Sequence, residues 1–347
     1  MRINLKLIEF HITNVCNLNC DNCNRLNNYH FSGHQLWKDY ADIYKQWAEK
    51  INFENIYIIG GEPTLNPSLI EWLTGLRELW PDSNIQLLTN GTRFSIVWDK
   101  LYPALLSNNI LVSVHTHNRV RHTEIEKNII DNKLIKHPYR YVFDGTFTNW
   151  VDHAYNKVRS ADWPDIDSID SFHLLPDAIQ QECKNVHQID PESYLKNINS
   201  YTIIDANGVA IKFNYSENFA TAPLEYVGNN QFQIYNSNPI EAHNVCILKH
   251  CHQLIKGKMY KCPHVALLPE FIEQYQVNIG EDDLSLLNSY TPLTATNDLK
   301  ATKDFIEKID NVIPQCKLCP SSLDLFEINS GTKKIKIIKK NKRNLGV

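Results

Sequence analysis

Cys16, Cys20 and Cys23 stand within eight residues of one another near the start of the chain. Three thiolates so close in sequence wrap around one metal centre, and they supply one ligand fewer than a closed site takes. A four-iron cubane held in this way keeps one iron open to a small molecule. The same three thiols also suit a structural zinc knuckle. A second group comes late, as Cys246, Cys251, Cys262, Cys316 and Cys319. Cys316 and Cys319, after Pro314, form a tight chelating pair. The segment 251–262 reads as a hairpin turning at Lys256 and Gly257, and a two-residue loop there sets Cys251 opposite Cys262, with β-carbons about 5 Å apart. A four-cysteine zinc site needs the same ligands, and His250, His252 and His264 lie close enough in sequence to complete one. Nine cysteines, an odd number unevenly spread, do not read as a disulfide scaffold; clustered thiols suit metal binding in a reducing cytoplasm. Cys183, in an apolar helical pattern, reads as a buried thiol.

These side chains have to be held by elements. An apolar run at 5–13 predicts a first strand, with the cysteine loop at its C-terminal end. Leu36, Tyr40, Ile43, Tyr44, Trp47 and Ile51 recur at three- and four-residue spacing and predict an amphipathic helix over 34–51. A strand at 55–59 ends in Gly60, Gly61, Glu62 and Pro63. Asn66 and Pro67 open a helix with Leu69, Ile70, Leu73, Leu76 and Leu79 as its stripe. Strands at 84–88, 110–114 and 139–143 alternate with helices near 96–106 and 122–135, and 169–174 reads as a sixth strand beyond a loop at 161–170. Such alternation implies a parallel sheet with helices outside it and reactive loops at the strands' C-terminal ends. The cysteine loop, residues 60–63, Thr89 to Gly91 and Ser113 to His115 all follow predicted strands, so a curled sheet gathers them at one mouth. His115 and His117 are candidates there for substrate contact. The expected fold is α/β, a partial (β/α)6 TIM barrel over 1–195. Hairpin signals at 201–213, turning at Asn207 and Gly208, mark the change to a smaller hairpin-and-helix domain over 196–347.

Cys-x3-Cys-x2-Cys after a first strand, followed by Gly60-Gly61-Glu62-Pro63, resembles the signature of radical S-adenosylmethionine (SAM) enzymes. The resemblance covers roughly residues 5–175. It implies that Cys16, Cys20 and Cys23 hold a [4Fe-4S] cluster whose open iron binds SAM, and that reduction releases a 5'-deoxyadenosyl radical. It further implies that Glu62 and the backbone of Gly60, Gly61 and Pro63 hold the SAM amino group, that Asn90 and Ser113 contact its ribose or carboxylate, and that the residue before the third cysteine touches the adenine through its backbone. That residue is usually aromatic and is Asn22 here. Beyond residue 195 the chain resembles the twitch or SPASM extension of the same enzymes. Cys246, Gly257 and Cys262 meet its spacing, with ten and then four residues between them. The implied ligands of a second, auxiliary [4Fe-4S] cluster are Cys246, Cys262, Cys316 and Cys319, with Cys251 as a replacement for one of them. No catalytic side chain is assigned.

A net charge of -4 gives the molecule no polycationic field for nucleic acid or an acidic membrane. A basic run from Lys333 to Arg343 is the exception and reads as a solvated tail. No stretch reaches the roughly 20 consecutive apolar residues of a membrane span, and the first fifteen residues lack the layout of a secretory signal. The expectation is therefore a cytoplasmic oxidoreductase. It takes electrons from a reductant such as flavodoxin or ferredoxin and acts on a small molecule or a peptide. Few residues precede the first strand, which favours a small molecule or a peptide presented by another protein. The rivals are a radical SAM maturase of a peptide or RNA and a non-catalytic zinc or nucleic-acid-binding protein.

Overall fold

The structure is a computed structural model and describes residues 2–117, 119–131, 134, 139–142, 200–204, 207, 209–215, 218–220, 224–228, 231–322 and 325–327. In chain order its strands are β1 (Ile3–His11), β2 (Ile51–Ile59), β3 (Asn84–Thr89), β4 (Leu111–Thr116), β5 (Tyr139–Val142), β6 (Ser200–Ile204), β7 (Ala210–Tyr215), β8 (Asn218–Ala220), β9 (Leu224–Gly228), β10 (Gln231–Ile234), β11 (Gln253–Ile255), β12 (Lys258–Tyr260), β13 (Leu293–Thr294) and β14 (Leu325–Glu327). The helices are α1 (Trp37–Lys50), α2 (Leu69–Leu79), α3 (Phe94–Asn108), α4 (Arg119–Asp131), α5 (Pro239–Val245), α6 (Pro263–Tyr275), α7 (Glu281–Asn288) and α8 (Leu299–Lys308). They make two compact units, Met1–Asn84 with Glu217–Val347, and Ile85–Ser216.

In the first unit β1 is paired in parallel with β2 on one side and β11 on the other. Phe10 of β1 is fully buried among the rings of Tyr44 from α1, Phe53 from β2, Trp72 from α2 and Trp80, with centroids 5.4 to 6.2 Å away. Burying each such side chain stabilises the fold by about 1.5–3 kcal/mol. This aromatic knot therefore fixes the strand from which the cysteine loop hangs. A second core forms past the loop. Leu26 and Phe31 pack with Phe232, Leu267, Phe271 and Tyr275, which ties the loop's exit to α6. Lys256 and Gly257 take left-handed φ of 49° and 72° and close a two-residue turn, as expected, so that β11 and β12 pair antiparallel.

In the second unit β3, β4 and β7 run parallel, and β6 and then β5 continue antiparallel from β7. One expectation changes here. The segment at 139–143 was to follow β4 in the parallel alternation; it is instead an antiparallel strand beside β6, and β7 takes the place next to β4. β6 and β7, within the expected hairpin at 201–213, fall in the same compact unit as β4. The cause is apolar matching. Val112 and Val114 of β4 are the register partners of Ile211 and Phe213 of β7, and all four are fully buried on one face of the pair. The structure is thus mixed α/β with parallel strands flanked by helices, consistent with a partial barrel whose sheet is not closed. The expected strand at 169–174, the loop at 161–170, Cys183, the boundary near residue 195 and the basic tail lie outside the described residues. Among the described residues no helix is long and apolar enough to cross a membrane.

Candidate metal and cofactor site

The chain leaves β1 and is at once bound to the turn that follows β2. Ile12 N–H donates to Ile59 O at 2.8 Å, Gly61 N–H to Thr13 O at 2.7 Å and Glu62 N–H to Val15 O at 2.8 Å. A Cβ on Gly60 would lie 2.4 Å from Thr13 O, and one on Gly61 2.4 Å from Val15 O. What approaches these two glycines is the root of the cysteine loop. Only hydrogen fits there. Glu62 is fully buried, and its Oε1 accepts from Thr64 N–H at 3.0 Å and Thr64 Oγ1–H at 2.6 Å, capping the short 3-10 turn Pro63–Leu65. Asn66, expected to cap α2, instead donates from Nδ2 to Ile12 O and Gln35 O at 2.7 and 2.9 Å, and Ser68 stands at the cap position of the helix.

Within the loop, Leu18 N–H donates to Cys16 Sγ at 3.4 Å and the Cys23 thiol donates to Asn27 Oδ1 at 3.7 Å. Asn22 has a left-handed φ of 57° immediately before Cys23. Burial pushes the Cys16 thiol up to about 12, with the negative charges of Glu62 and Cys23 adding to it and the Leu18 amide opposing. Burial raises Cys23 as well. The first two motifs are therefore one site in the first unit. Asn90 and Ser113 belong to the second unit. Asn90 Oδ1 accepts from Thr92 N–H and Oγ1–H at 3.0 and 2.6 Å, beyond β3. Ser113 Oγ lies 3.1 Å from His115 Nε2 and accepts from Asn214 Nδ2 at 3.0 Å, across β4 and β7. His117 follows β4.

The late cysteines arrive on three separate segments. Cys246 ends α5, Cys262 is the residue before α6, and Cys316 and Cys319 sit in and after the 3-10 turn Pro314–Leu318. These four thiols are near enough for every pair to oppose each other's ionisation. Burial comes first, raising Cys246, pushing Cys262 up to about 11 and Cys319 well above the ordinary thiol range, and the neighbouring sulfurs add to it. His264 Nδ1 lies 3.3 Å from Cys319 Sγ. Cys251 is near enough to Cys246 to feel its charge. The β11–β12 ladder ends at Gln253 and Tyr260, and the Cys251 thiol turns to the carboxylate of Glu9, with burial and that charge pushing it up to about 12. His250 and His252 do not join the thiols; their Nδ1 and Nε2 lie 2.8 and 3.2 Å from Asp310 Oδ1.

Among the described residues no three His, Cys, Asp or Glu side chains are gathered tightly enough to hold a single metal ion. A cubane spreads its sulfur ligands more widely than one ion does, and crowded thiols whose ionisation is mutually opposed are relieved by a cationic cluster. The donor sets fit iron-sulfur clusters in that sense. Two buried charges beside the thiols, Arg25 and Lys261, gave no signal in the sequence.

Residues 10–145 match the family described as the Radical SAM superfamily. No curated protein matches the chain. Among solved structures, BtrN in complex with AdoMet and 2-DOIA is similar at 14% identity over 93% of this chain and 100% of that chain, with a TM-score of 0.35. Streptococcus suis SuiB bound to precursor peptide SuiA is similar at 13% identity over 91% of this chain and 66% of that one, with a TM-score of 0.39. The anSMEcpe structure with bound AdoMet is 24% identical over 35% of this chain and 34% of that chain, with a TM-score of 0.27.

Proposed function

We infer that the chain, whose residues 10–145 match the Radical SAM superfamily, is a radical SAM enzyme with a second iron-sulfur centre. The observation that carries this is the direct bonding of the Gly60-Gly61-Glu62 turn to the root of the three-cysteine loop. It holds a cluster-binding motif and a turn rich in backbone donors and acceptors as one piece. Cys16, Cys20 and Cys23 would hold a [4Fe-4S] cluster and leave one iron for the amino and carboxylate groups of SAM. When bound and reduced, that cluster supplies a 5'-deoxyadenosyl radical that takes hydrogen from an unactivated C–H bond.

The chain's own residues then orient and shield. Glu62 is the acceptor for the SAM ammonium group, its carboxylate lying in the turn whose backbone is bonded to the root of the cysteine loop. Gly60, Gly61 and Pro63 give it backbone contact, Asn22 reaches the adenine through its backbone, and Asn90 and Ser113 serve the ribose or carboxylate. Cys246, Cys262, Cys316 and Cys319 would hold the auxiliary cluster with all four corners filled, which leaves it an electron-transfer role. Cys251, turned to Glu9, is outside this set. Net oxidation or oxidative cross-linking of a small molecule or peptide follows, with electrons exchanged through a flavodoxin- or ferredoxin-type protein in the cytoplasm.

Anaerobic reconstitution tests the reading. The full chain is expected to take up roughly eight irons, two cubanes' worth, and to release 5'-deoxyadenosine from SAM under reduction. Cys251→Ala should keep that iron count. A colourless protein carrying zinc, or intact SAM under reducing conditions, overturns the reading.

A further inference from the structure

Arg25 follows Cys23 by two residues and is buried, with its side chain 7% exposed. Its Nη2 donates to Glu9 Oε2 at 2.5 Å and its Nη1 to Gln253 Oε1 at 2.8 Å. Gln253 Nε2 donates in turn to Glu9 Oε2 and, at 2.9 Å, to Cys251 O. Three side chains from the cysteine loop, β1 and β11 thus close a ring, and Glu9 and Gln253 can do so because they are register partners across the parallel β1–β11 pair. Glu9 and Gln253 are 4% and 0% exposed. Holding two charges out of water is costly, and apolar residues of similar volume commonly serve stability as well or better. The ring therefore calls for a reason beyond stability.

Its position supplies one. Arg25 stands two residues after Cys23, within the cysteine loop itself, and its guanidinium is pinned to β1 and β11 by the ring. The cation of the pair is thus carried by the three-cysteine loop and its anion by β1. We propose that Arg25 is a positioning residue that fastens the three-cysteine loop to β11 and sets the charge felt by the cluster on that loop, with Glu9 and Gln253 as its anchors. This rests on the radical SAM reading above. A fixed cation beside a cluster favours its reduced form, and charge and hydrogen bonding around the sulfurs are among the protein's means of setting a potential. Arg25 thus helps the N-terminal cluster accept the electron that SAM cleavage requires, and does less for the C-terminal one.

The test uses the full chain, reconstituted anaerobically, with iron and sulfide counts, thermal melting by circular dichroism and an EPR-monitored redox titration of both clusters. In the double variant Glu9→Leu with Arg25→Met, no buried charge is left without its partner. It is expected to melt as a folded protein with both clusters present, and its N-terminal cluster should titrate at a more negative potential while the C-terminal one moves less. Arg25→Lys keeps the charge but loses the two-pronged donor. Its N-terminal potential should stay near that of the unmodified protein while the EPR spectrum of that cluster broadens. An N-terminal potential unchanged in the double variant, or equal shifts in both clusters, overturns the proposal. If the double variant fails to fold, Arg25→Lys decides, and potential and line shape both unchanged count against it. An unmodified chain that takes up no cluster fails the underlying reading instead, and that is seen before any variant is made.

Discussion

Cys16, Cys20 and Cys23 come from one loop whose course is dictated by a few backbone bonds to residues 59–62 and to its own amides. Cys246, Cys262, Cys316 and Cys319 come from the ends of α5 and α6 and from a separate 3-10 turn, brought together only when the second core around Phe271 and Tyr275 has packed. One thiol group is local and the other is a product of tertiary structure. Metal bound at the first site would thus add little cross-linking to the fold, whereas metal bound at the second would fasten three distant segments and add its binding energy to folding.

Substitutions can separate the two. The largest effect is expected at Cys16→Ala, which should reduce 5'-deoxyadenosine formation to background, measured by chromatography, while the melting temperature moves little. Cys262→Ala should do the reverse, halving iron content and lowering the melting temperature of the reconstituted protein; SAM cleavage in the absence of substrate should persist. If both variants lose stability equally, the distinction between a local and a tertiary site is wrong. Gly61→Ala comes next. Its Cβ would meet Val15 O, and such overpacking costs about 1–3 kcal/mol, read as a lower midpoint in urea together with weaker iron retention at the N-terminal site alone.

The smallest effect concerns pH. His11 is fully buried, its Nε2 is 2.6 Å from Asn14 Oδ1, and burial, with help from Arg25, lowers it to about 3. A histidine lowered in the folded state binds a proton more readily when unfolded, so its contribution to stability is complete above about pH 6.5 and is lost as pH falls from there toward 3. At pH 5.5 the loss is about 1 kcal/mol. Melting of the metal-free chain at several pH values should show it, and His11→Gln should flatten that slope.

The same contrast explains what could be read from the sequence. The three-cysteine loop, the glycine turn, α1, α2 and the β11–β12 turn were legible because each is written in neighbouring residues: a spacing, an apolar stripe or a pair of left-handed turn positions. What escaped was non-local. Whether β5 or β7 sits beside β4 depends on matching Val112 and Val114 to a strand about a hundred residues away, and no periodicity encodes partner choice. Hairpin geometry set the turn at Lys256 and Gly257, yet the β11–β12 ladder ends at Gln253 and Tyr260, short of the two cysteines, and the Cys251 thiol meets Glu9, far off in sequence. Arg25 was silent for the same reason, since a single arginine after a cysteine motif carries no pattern until Glu9 and Gln253 surround it.

The bonds from Gly61 and Glu62 to Thr13 and Val15 carry a practical consequence for anyone wishing to graft this loop onto another scaffold. An excised peptide from Ile12 to Asn27 would keep its sulfurs but lose the wall it leans on. A host strand bearing any side chain at the matching pair of positions would push it away. The transplantable module is the loop together with its two-glycine neighbour, some fifty residues of chain that have to travel as one.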